Sequence, residues 1–237
     1  QQAEAYAKAL EAAKKDSGEQ KNGIALLHNL MSIALMPRRL GCNGNDEITD
    51  QDIASSARLT ALFKILDEIH EKNEKAVIFV LHLELQACLA RKICKRYKMD
   101  HIPGIINGSM EAQARQRVVK DFQDPLKKDC FDCVVLTGRA AGTGLTLTAG
   151  NHVIHLERWW NPAVEDQCSA RCWRIGQEKD VIVHIPVSEF PGGKIKTVDE
   201  VLHNFLETKR QRSQSVLMPY QNKNAQAEIV TELMRKS

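Results

Sequence analysis

The chain has 237 residues, 43% hydrophobic and 27% charged, which is ordinary for a globular protein that buries a sizeable core. Its formal net charge of +3 is too small to indicate nucleic acid by itself, so contact with a polyanion must come from the local placement of basic side chains. No apolar run approaches the ~20 residues that cross a bilayer and no secretory pattern opens the sequence, so we expect a soluble, intracellular protein with no membrane partner.

The seven cysteines are odd in number and scattered, which favours a reducing compartment over a disulfide framework. Cys130 and Cys133 form one C-x-x-C, and Cys168 and Cys172 sit one helical turn apart. A zinc site needs a second close pair with suitable geometry. We therefore predict thiols without a metal.

Two helices separated by a polar break are predicted at the start of the chain. Residues 1–15 are rich in alanine, and residues 23–35 carry an apolar face at helical spacing. Pro37 and a cluster of glycine and asparagine end the second helix. We treat residues 1–51 as a helical segment separate from the domain that follows.

The next predicted helix starts after Ser56, which can cap it, and turns Phe63 and Ile69 inward. It contains a D-E-x-H string at residues 67–70, whose carboxylates could hold magnesium if the string followed a buried strand. Here the string lies inside the helix and precedes the strand 76–81. We therefore interpret it as structural.

A basic helix and a glycine-serine turn come after that strand. The outer face of helix 83–97 and its end carry Arg91, Lys92, Lys95, Arg96 and Lys98. This face is either solvated or in contact with DNA. Gly108 and Ser109 follow the short strand 101–106, as a strand-to-helix turn with a serine cap or as an anion site. The two interpretations are compatible, because a helix N-terminus attracts anions.

A glycine-bearing turn follows the apolar strand 133–136. Glycines after a buried strand let backbone N–H groups approach a phosphate, and the hydroxyls of Thr143, Thr146 and Thr148 could add donors. A tight strand-to-helix turn explains the same glycines. A dinucleotide-binding fingerprint fits poorly, because no third glycine follows at the required spacing.

Two adjacent tryptophans introduce a helix after the strand 152–156. Asn161 can cap this helix and Pro162 suits its first turn. The spacing of Gln167, Arg171 and Arg174 predicts that all three lie on one helix face. Paired arginines suit the oxygens of a phosphate, although surface arginines paired with nearby carboxylates remain an alternative.

The rest of the chain completes an α/β pattern. A last strand is predicted at 181–185, and Thr197 with Glu200 forms a capping box that opens a further helix. Strands and helices alternate through residues 52–212, which predicts a mostly parallel sheet with helices on both faces and ligands at the carboxyl ends of the strands. The tail 213–237 is polar, with one short helix at most.

The segments T-G-R-A-A-G-T-G-L-T-L-T, W-N-P and Q-x-x-x-R-x-x-R-I-G-Q, within residues 137–177, together resemble a known motor. They are similar to the second lobe of superfamily two ATPases, in particular the SWI/SNF (sucrose-nonfermenting) family of double-stranded DNA translocases. The W-W-N-P-A-V-E-D-Q segment looks more like bacterial members. The resemblance implies a RecA-like, three-layer C-terminal lobe preceded by a helical linker.

The resemblance also implies roles for individual residues. Arg171 and Arg174 would be arginine fingers that reach the γ-phosphate of ATP. Gly142, Gly144 and Gln167 would bind ATP or couple it to DNA. Contacts to DNA phosphates would come from Gly108, Ser109, Arg139, Thr146 and Trp160. No G-x-x-x-x-G-K-[ST] phosphate loop occurs in the sequence, so we expect a first lobe, absent here, to hold ATP and Mg²⁺.

The expected partners are therefore double-stranded DNA and the N-terminal RecA-like lobe of the same protein, in bacterial cytoplasm at the nucleoid or in a eukaryotic nucleus. Isolated, the lobe should be inactive. Ala141 and Ala170 replace a glycine and an aspartate of the family pattern, so the tuning of the fingers stays open. Two alternatives remain: a strand-separating helicase lobe of the same superfamily, and a non-catalytic DNA-binding or docking module with the same fold.

Overall fold

A computed structural model of the chain describes residues 2–15, 21–36, 46–127, 130–138, 144–190, 196–214 and 225–234. The helices are α1 (Gln2–Lys15), α2 (Lys21–Leu35), α3 (Asp50–Ser55), α4 (Ala57–Glu71), α5 (Leu83–Tyr97), α6 (Ala112–Phe122), α7 (Pro162–Ser169), α8 (Val198–Gln214) and α9 (Ala225–Met234). The strands are β1 (Lys75–Phe79), β2 (Gly104–Ile106), β3 (Asp132–Leu136), β4 (His152–His155) and β5 (Ile182–His184).

The five strands form one parallel sheet in the order β2-β3-β1-β4-β5. Ala76 of β1 lies between Cys133 of β3 and His152 of β4, which fixes the register of the central strands. All five residues of β1 and of β3 are buried, as expected for central strands covered on both faces. The predicted α/β fold with a parallel sheet is confirmed.

Alternate residues of each strand face two different helical layers. Ile78 and Val135 belong to the core beneath α4 and α5, together with Leu62 and Leu89. On the other face, β1 and β3 meet α6, α7 and the segment before β4; this core contains Val77, Phe79, Val134, Leu136, Phe122, Leu147, Cys168 and Cys172. Burial on both faces explains why the strand sequences are apolar runs rather than alternating patterns.

A third core joins helices from the first and last parts of the chain. The helices α1, α2, α8 and α9 share a cluster of buried apolar side chains that includes Leu27, Leu30, Leu202 and Leu206. The backbone N–H of Val198 donates to the hydroxyl oxygen of Tyr6 at 2.5 Å. In α9, Ile229 and Leu233 are buried, so the short helix allowed in the tail exists. The division at residues 51 and 212 stays a prediction.

Two buried arginines fix helices by gripping carboxylates. Arg58, on α4, pairs with Asp199 at the start of α8, and its Nη1 donates to the carbonyl of Leu156 at 3.3 Å. Arg158 donates to both carboxylate oxygens of Glu165 on α7, at 3.0 and 2.7 Å. The first pair joins segments that are neighbours only in the folded chain, whereas the second links the segment after β4 to the helix that follows it.

The predicted helix starts at Ser56 and Thr197 and the position of the D-E-x-H string inside a helix are confirmed. Ser56 accepts from the N–H of Leu59, and Thr197 and Glu200 exchange the two bonds of a capping box. Residues 67–70 lie inside α4, with Ile69 in the core. Among the described residues, no helix is long and apolar enough to span a bilayer.

Candidate functional site

The predicted site residues divide between the two edges of the sheet. Gly108 and Ser109 follow the carboxyl end of β2. The turn formed by residues 147–150 directly precedes the amino end of β4, and the segment 170–177 contacts it there. Arg139 and Gly142 lie outside the described residues. The expectation that ligand-binding residues gather at the carboxyl edge therefore holds for only part of the described set.

The segment 170–177, here called the arginine turn, is not helical. α7 ends at Ser169, and the following N–H groups bond three residues back, from Arg171 to Cys168 and from Cys172 to Ser169, both at 3.1 Å. The prediction that Gln167, Arg171 and Arg174 share one helix face is wrong. The carbonyl of Arg171 instead accepts from the N–H of Leu147 at 2.9 Å, so a tertiary contact replaces the next helical bond.

Arg171 and Arg174 are two positive charges near enough for one to act on the other. Arg174 is exposed, and its Nη1 donates to the Gly144 carbonyl at 3.3 Å and to Thr146 Oγ1 at 3.2 Å. Arg171 is 9% exposed, and its Nε finds no hydrogen-bond partner in the described parts of the chain. Burial, together with the charge of Arg174, lowers the pKa of Arg171. This arrangement favours a bound anion.

Gly144 is the one predicted nucleotide-coupling glycine that the structure describes. Its φ of +78° lies in the left-handed region that favours glycine, and its carbonyl accepts from Arg174. Gln167 lies exposed on α7. Arg174 therefore contacts two other predicted site residues, Gly144 and Thr146.

The amide of Gln177 holds the arginine turn and was missed in the sequence. Its Nε2 lies within hydrogen-bond distance of the carbonyls of Thr148, Gly150 and Cys172, at 3.1, 3.0 and 3.2 Å. The only sequence signal was the R-I-G-Q ending itself. Gln177 therefore ties residues 147–150 to the arginine turn.

Gly108 and Ser109 form an exposed turn before α6. Asn107 Oδ1 accepts from the N–H of Ser109 at 3.2 Å and from its hydroxyl at 2.8 Å. The predicted serine cap is wrong, because the N-cap residue of α6 is Glu111 and the bonds of Ser109 turn back to Asn107. Nothing lies within 4 Å of a Cβ built on Gly108, so its backbone is open to a ligand.

The adjacent tryptophans Trp159 and Trp160 both pack against other parts of the chain. Trp159 lies directly over Gly138, where any side chain would clash with its ring. Trp160 is half-buried against the core shared by α1, α2, α8 and α9. Among the predicted DNA contacts that the structure describes, Trp160 is therefore the most enclosed.

The basic face of α5 is largely neutralised within the chain. Lys92 pairs with Asp50 at 2.7 Å, Lys95 with Glu47 at 3.6 Å and Arg96 with Asp67 at 2.8 Å. This observation favours the solvated interpretation of that face over DNA contact. Among the described residues, no group of three or more histidine, cysteine or acidic side chains could hold a metal ion.

Comparison with known proteins connects this geometry to a family. Residues 57–176 match the helicase conserved C-terminal domain. The chain is 33% identical over 187 residues to YwqA of Bacillus subtilis (strain 168), provisionally named an ATP-dependent helicase/translocase, covering 79% of this chain and 19% of that protein. It is 36% identical over 200 residues to the Zorya protein ZorD of Escherichia coli O139:H28, covering 82% of this chain and 17% of ZorD. The chain thus spans less than a fifth of these relatives.

Solved structures share the fold. The SWI2/SNF2 ATPase C-terminal domain of Sulfolobus solfataricus has a TM-score of 0.68 and 24% identity, over 99% of this chain and 91% of that one. The ATPase core of the same organism in complex with double-stranded DNA has a TM-score of 0.69 and 24% identity, over 98% of this chain and 46% of that one. The resemblance to the SWI/SNF family and the RecA-like fold are confirmed.

Proposed function

The chain belongs to the family of helicase conserved C-terminal domains, and from this premise we propose that it is the C-terminal motor lobe of an ATP-dependent translocase on double-stranded DNA. ATP and Mg²⁺ would be held mainly by an N-terminal RecA-like lobe of the same protein, because the sequence contains no phosphate-binding loop. The lobe by itself would not hydrolyse ATP. The protein would be located with its DNA substrate, at a bacterial nucleoid or in a eukaryotic nucleus.

The observation that carries this proposal is the arginine turn. The charge of Arg174 acts on the largely buried Arg171, and the described contacts of Arg174 are to neutral oxygens. A phosphate oxygen makes a stronger, charge-assisted bond than a carbonyl or hydroxyl does, so closure of the two lobes over ATP would draw Arg174 away from Gly144 and Thr146. Arginine fingers of this kind accelerate phosphoryl transfer by ~10³- to 10⁵-fold.

Gly144 and Gln167, with Gly142, would complete the coupling between the nucleotide and DNA. Gly144 supports this role because its carbonyl is the oxygen that Arg174 would release. Gln167 is exposed on α7, four residues before Arg171 in the sequence.

Contacts to the duplex would come from Gly108, Ser109, Arg139, Thr146 and Trp160. At the exposed turn of Gly108 and Ser109, a phosphate would take over the N–H and hydroxyl donors of Ser109 from Asn107 Oδ1, which accepts both here. Phosphate contacts carry no base sequence, so binding should be largely independent of sequence. Its affinity should fall as salt rises.

The test is DNA-stimulated ATP hydrolysis by the full-length protein and its Arg174→Ala variant. We expect strong stimulation by duplex DNA, a loss of at least ~10²-fold in the variant and no hydrolysis by the 237-residue chain alone. Arg96→Ala is the matched control, because that arginine pairs with Asp67 on α4. Wild-type activity of Arg174→Ala would refute the finger assignment and favour a non-catalytic module. Stimulation by single strands alone would favour a strand-separating helicase.

A further inference from the structure

Two glutamine side chains form hydrogen bonds to the turn of residues 147–150, one from each side. From one side, Gln123 Nε2 donates to Thr148 Oγ1 at 3.0 Å, and Gln123 Oε1 accepts from the N–H of Ala149 at 2.6 Å. From the other, Gln177 Nε2 reaches the carbonyls of Thr148 and Gly150. Thr148 is therefore bonded to both glutamines, through its hydroxyl to one and its carbonyl to the other.

Gln123 stands at the end of the helix that begins beside the proposed DNA contact. α6 follows the turn at Gly108 and Ser109 and has eleven residues, so it is about 16 Å long. Its far end is firmly seated. The ring of Phe122 lies against Gly150, and Lys75 Nζ donates to the Phe122 carbonyl at 2.8 Å. A tilt or shift of α6 at its DNA end would therefore be transmitted to the 147–150 turn.

Gln177 stands at the other end of the same connection, within the arginine turn. Its Nε2 lies 3.2 Å from the carbonyl of Cys172, between Arg171 and Arg174. Leu147 N–H adds the bond to the Arg171 carbonyl. The backbone that carries Arg171 and Arg174 is thus tied to residues 147–150 as well as to the end of α7.

We propose that Gln123 and Gln177 are positioning residues that couple duplex contact at the start of α6 to the placement of Arg171 and Arg174, with Thr148 as the shared partner. This inference rests on the proposed function. Coupling between sites requires a continuous set of contacts whose arrangement both sites can bias, and these contacts supply one from α6 to the arginines.

Holding the fold together does not require the amide of Gln123. The turn is already closed by the bond from Gly150 N–H to the Leu147 carbonyl at 3.0 Å, and Leu147 is fully buried. Gln123 is only half-buried. Loss of its amide should therefore loosen the link between α6 and the turn without unfolding either.

The experiment compares Gln123→Leu, Gln123→Glu and Gln177→Leu in the full-length protein, with Gln116→Leu, at an exposed position of α6, as the matched control. Basal and duplex-stimulated kcat, KM for ATP, duplex Kd and Tm are measured for each. Because site couplings are typically 5- to 150-fold, we expect Gln123→Leu to lower the duplex-stimulated kcat about tenfold, with basal kcat and duplex Kd within about twofold.

Gln123→Glu should retain most of the stimulation. Its carboxylate still accepts from the Ala149 N–H and can accept from the Thr148 hydroxyl. The double variant Gln123→Leu with Gln177→Leu should lose no more stimulation than the more affected single variant, because both changes break one connection.

Unchanged stimulation in Gln123→Leu would overturn the coupling. An equal loss of basal and stimulated kcat, or a weakened duplex Kd, would also overturn it, since either result describes a structural or DNA-binding role. Arg174→Ala separates the two proposals. If that variant is inactive while Gln123→Leu behaves as wild type, only the coupling fails. If Arg174→Ala retains wild-type activity, the proposed function fails.

Discussion

Arg58 and Arg158 differ from Arg171 and Arg174 in their hydrogen-bond partners. The first two are 1% and 2% exposed, and each binds both oxygens of a carboxylate. The second two adjoin each other, and the pKa of Arg171 is lowered by burial and by its neighbour's charge.

The comparison separates arginines that are paired with a buried carboxylate from arginines whose described contacts include no carboxylate. Burial alone would raise the pKa of Glu165, but the hydrogen bonds and charge of Arg158 bring it below its ordinary value, so this pair is ionised and satisfied. A buried cation without such a carboxylate is costly. Arg171 carries that cost, and an anionic ligand would relieve it.

The largest effect should come from breaking a satisfied pair. Arg58→Met leaves the carboxylate of Asp199 buried without its cation, which should cost ~3–5 kcal/mol in the free energy of unfolding. Urea unfolding of the chain measures this. Adding Asp199→Leu should recover part of the loss, although the N–H of Ser188 also loses its acceptor. A loss below ~1 kcal/mol would show that Arg58 and Asp199 do not stabilise the fold as a buried ion pair.

The next effect concerns activity rather than stability. Arg171→Met keeps the aliphatic stem and removes the charge, so the duplex-stimulated kcat of the full-length protein should fall at least ~10²-fold. The free energy of unfolding should change by less than ~1 kcal/mol. Thermal unfolding and steady-state kinetics on the same sample test both. A fall in Tm as large as that of Arg58→Met would show that Arg171 is a structural arginine.

Acid should weaken a third satisfied cluster. Burial opposes ionisation of Glu74, but hydrogen bonds from His152 and Lys179 lower its pKa from 4.5 to about 2. A carboxylate with a lowered pKa stabilises the fold above pH 4.5, and this contribution is lost as pH falls toward 2. Glu74→Gln should cost ~1–2 kcal/mol at pH 7 and progressively less below pH 4.5. A pH-independent difference in unfolding free energy would contradict this.

The smallest effect should come from an arginine that is paired but exposed. Arg96 pairs with Asp67 at 2.8 Å, with both side chains more than a third exposed. Arg96→Ala should therefore change stability by at most ~1 kcal/mol. Because Arg96 already has its own carboxylate, duplex affinity should change by less than about twofold. Affinity is measured by fluorescence anisotropy at fixed salt. A larger loss would support the alternative that the basic face of α5 contacts DNA.

Local signals were readable in the sequence where both partners lie within one turn of chain. The box of Thr197 and Glu200 and the cap at Asn161 are such cases, because their partners stand two or three residues away. The buried strands were also readable, since a parallel sheet covered on both faces leaves apolar runs. Family motifs added the identity of the arginines, which composition alone could not indicate.

What the sequence hid depends on distant partners. The spacing of Gln167, Arg171 and Arg174 fits a helix, yet Leu147 and Gln177 take carbonyls that the helix would have used. Gln123 meets Thr148, 25 residues away, and nothing in either neighbourhood signals the contact. Arg158 and Glu165 are close in sequence, but their burial depends on α8 covering them.

The core shared by the two ends of the chain affects how the protein emerges from the ribosome. The leucines of α2 are synthesised before any strand of the sheet, whereas α8, which covers them, follows only after the whole sheet has been made. At typical translation rates this interval is on the order of ten seconds or more. During this interval the leucine face of α2 must remain exposed to solvent, pack transiently on α1 or bind a chaperone. We therefore expect nascent chains stalled before residue 198 to be prone to aggregation.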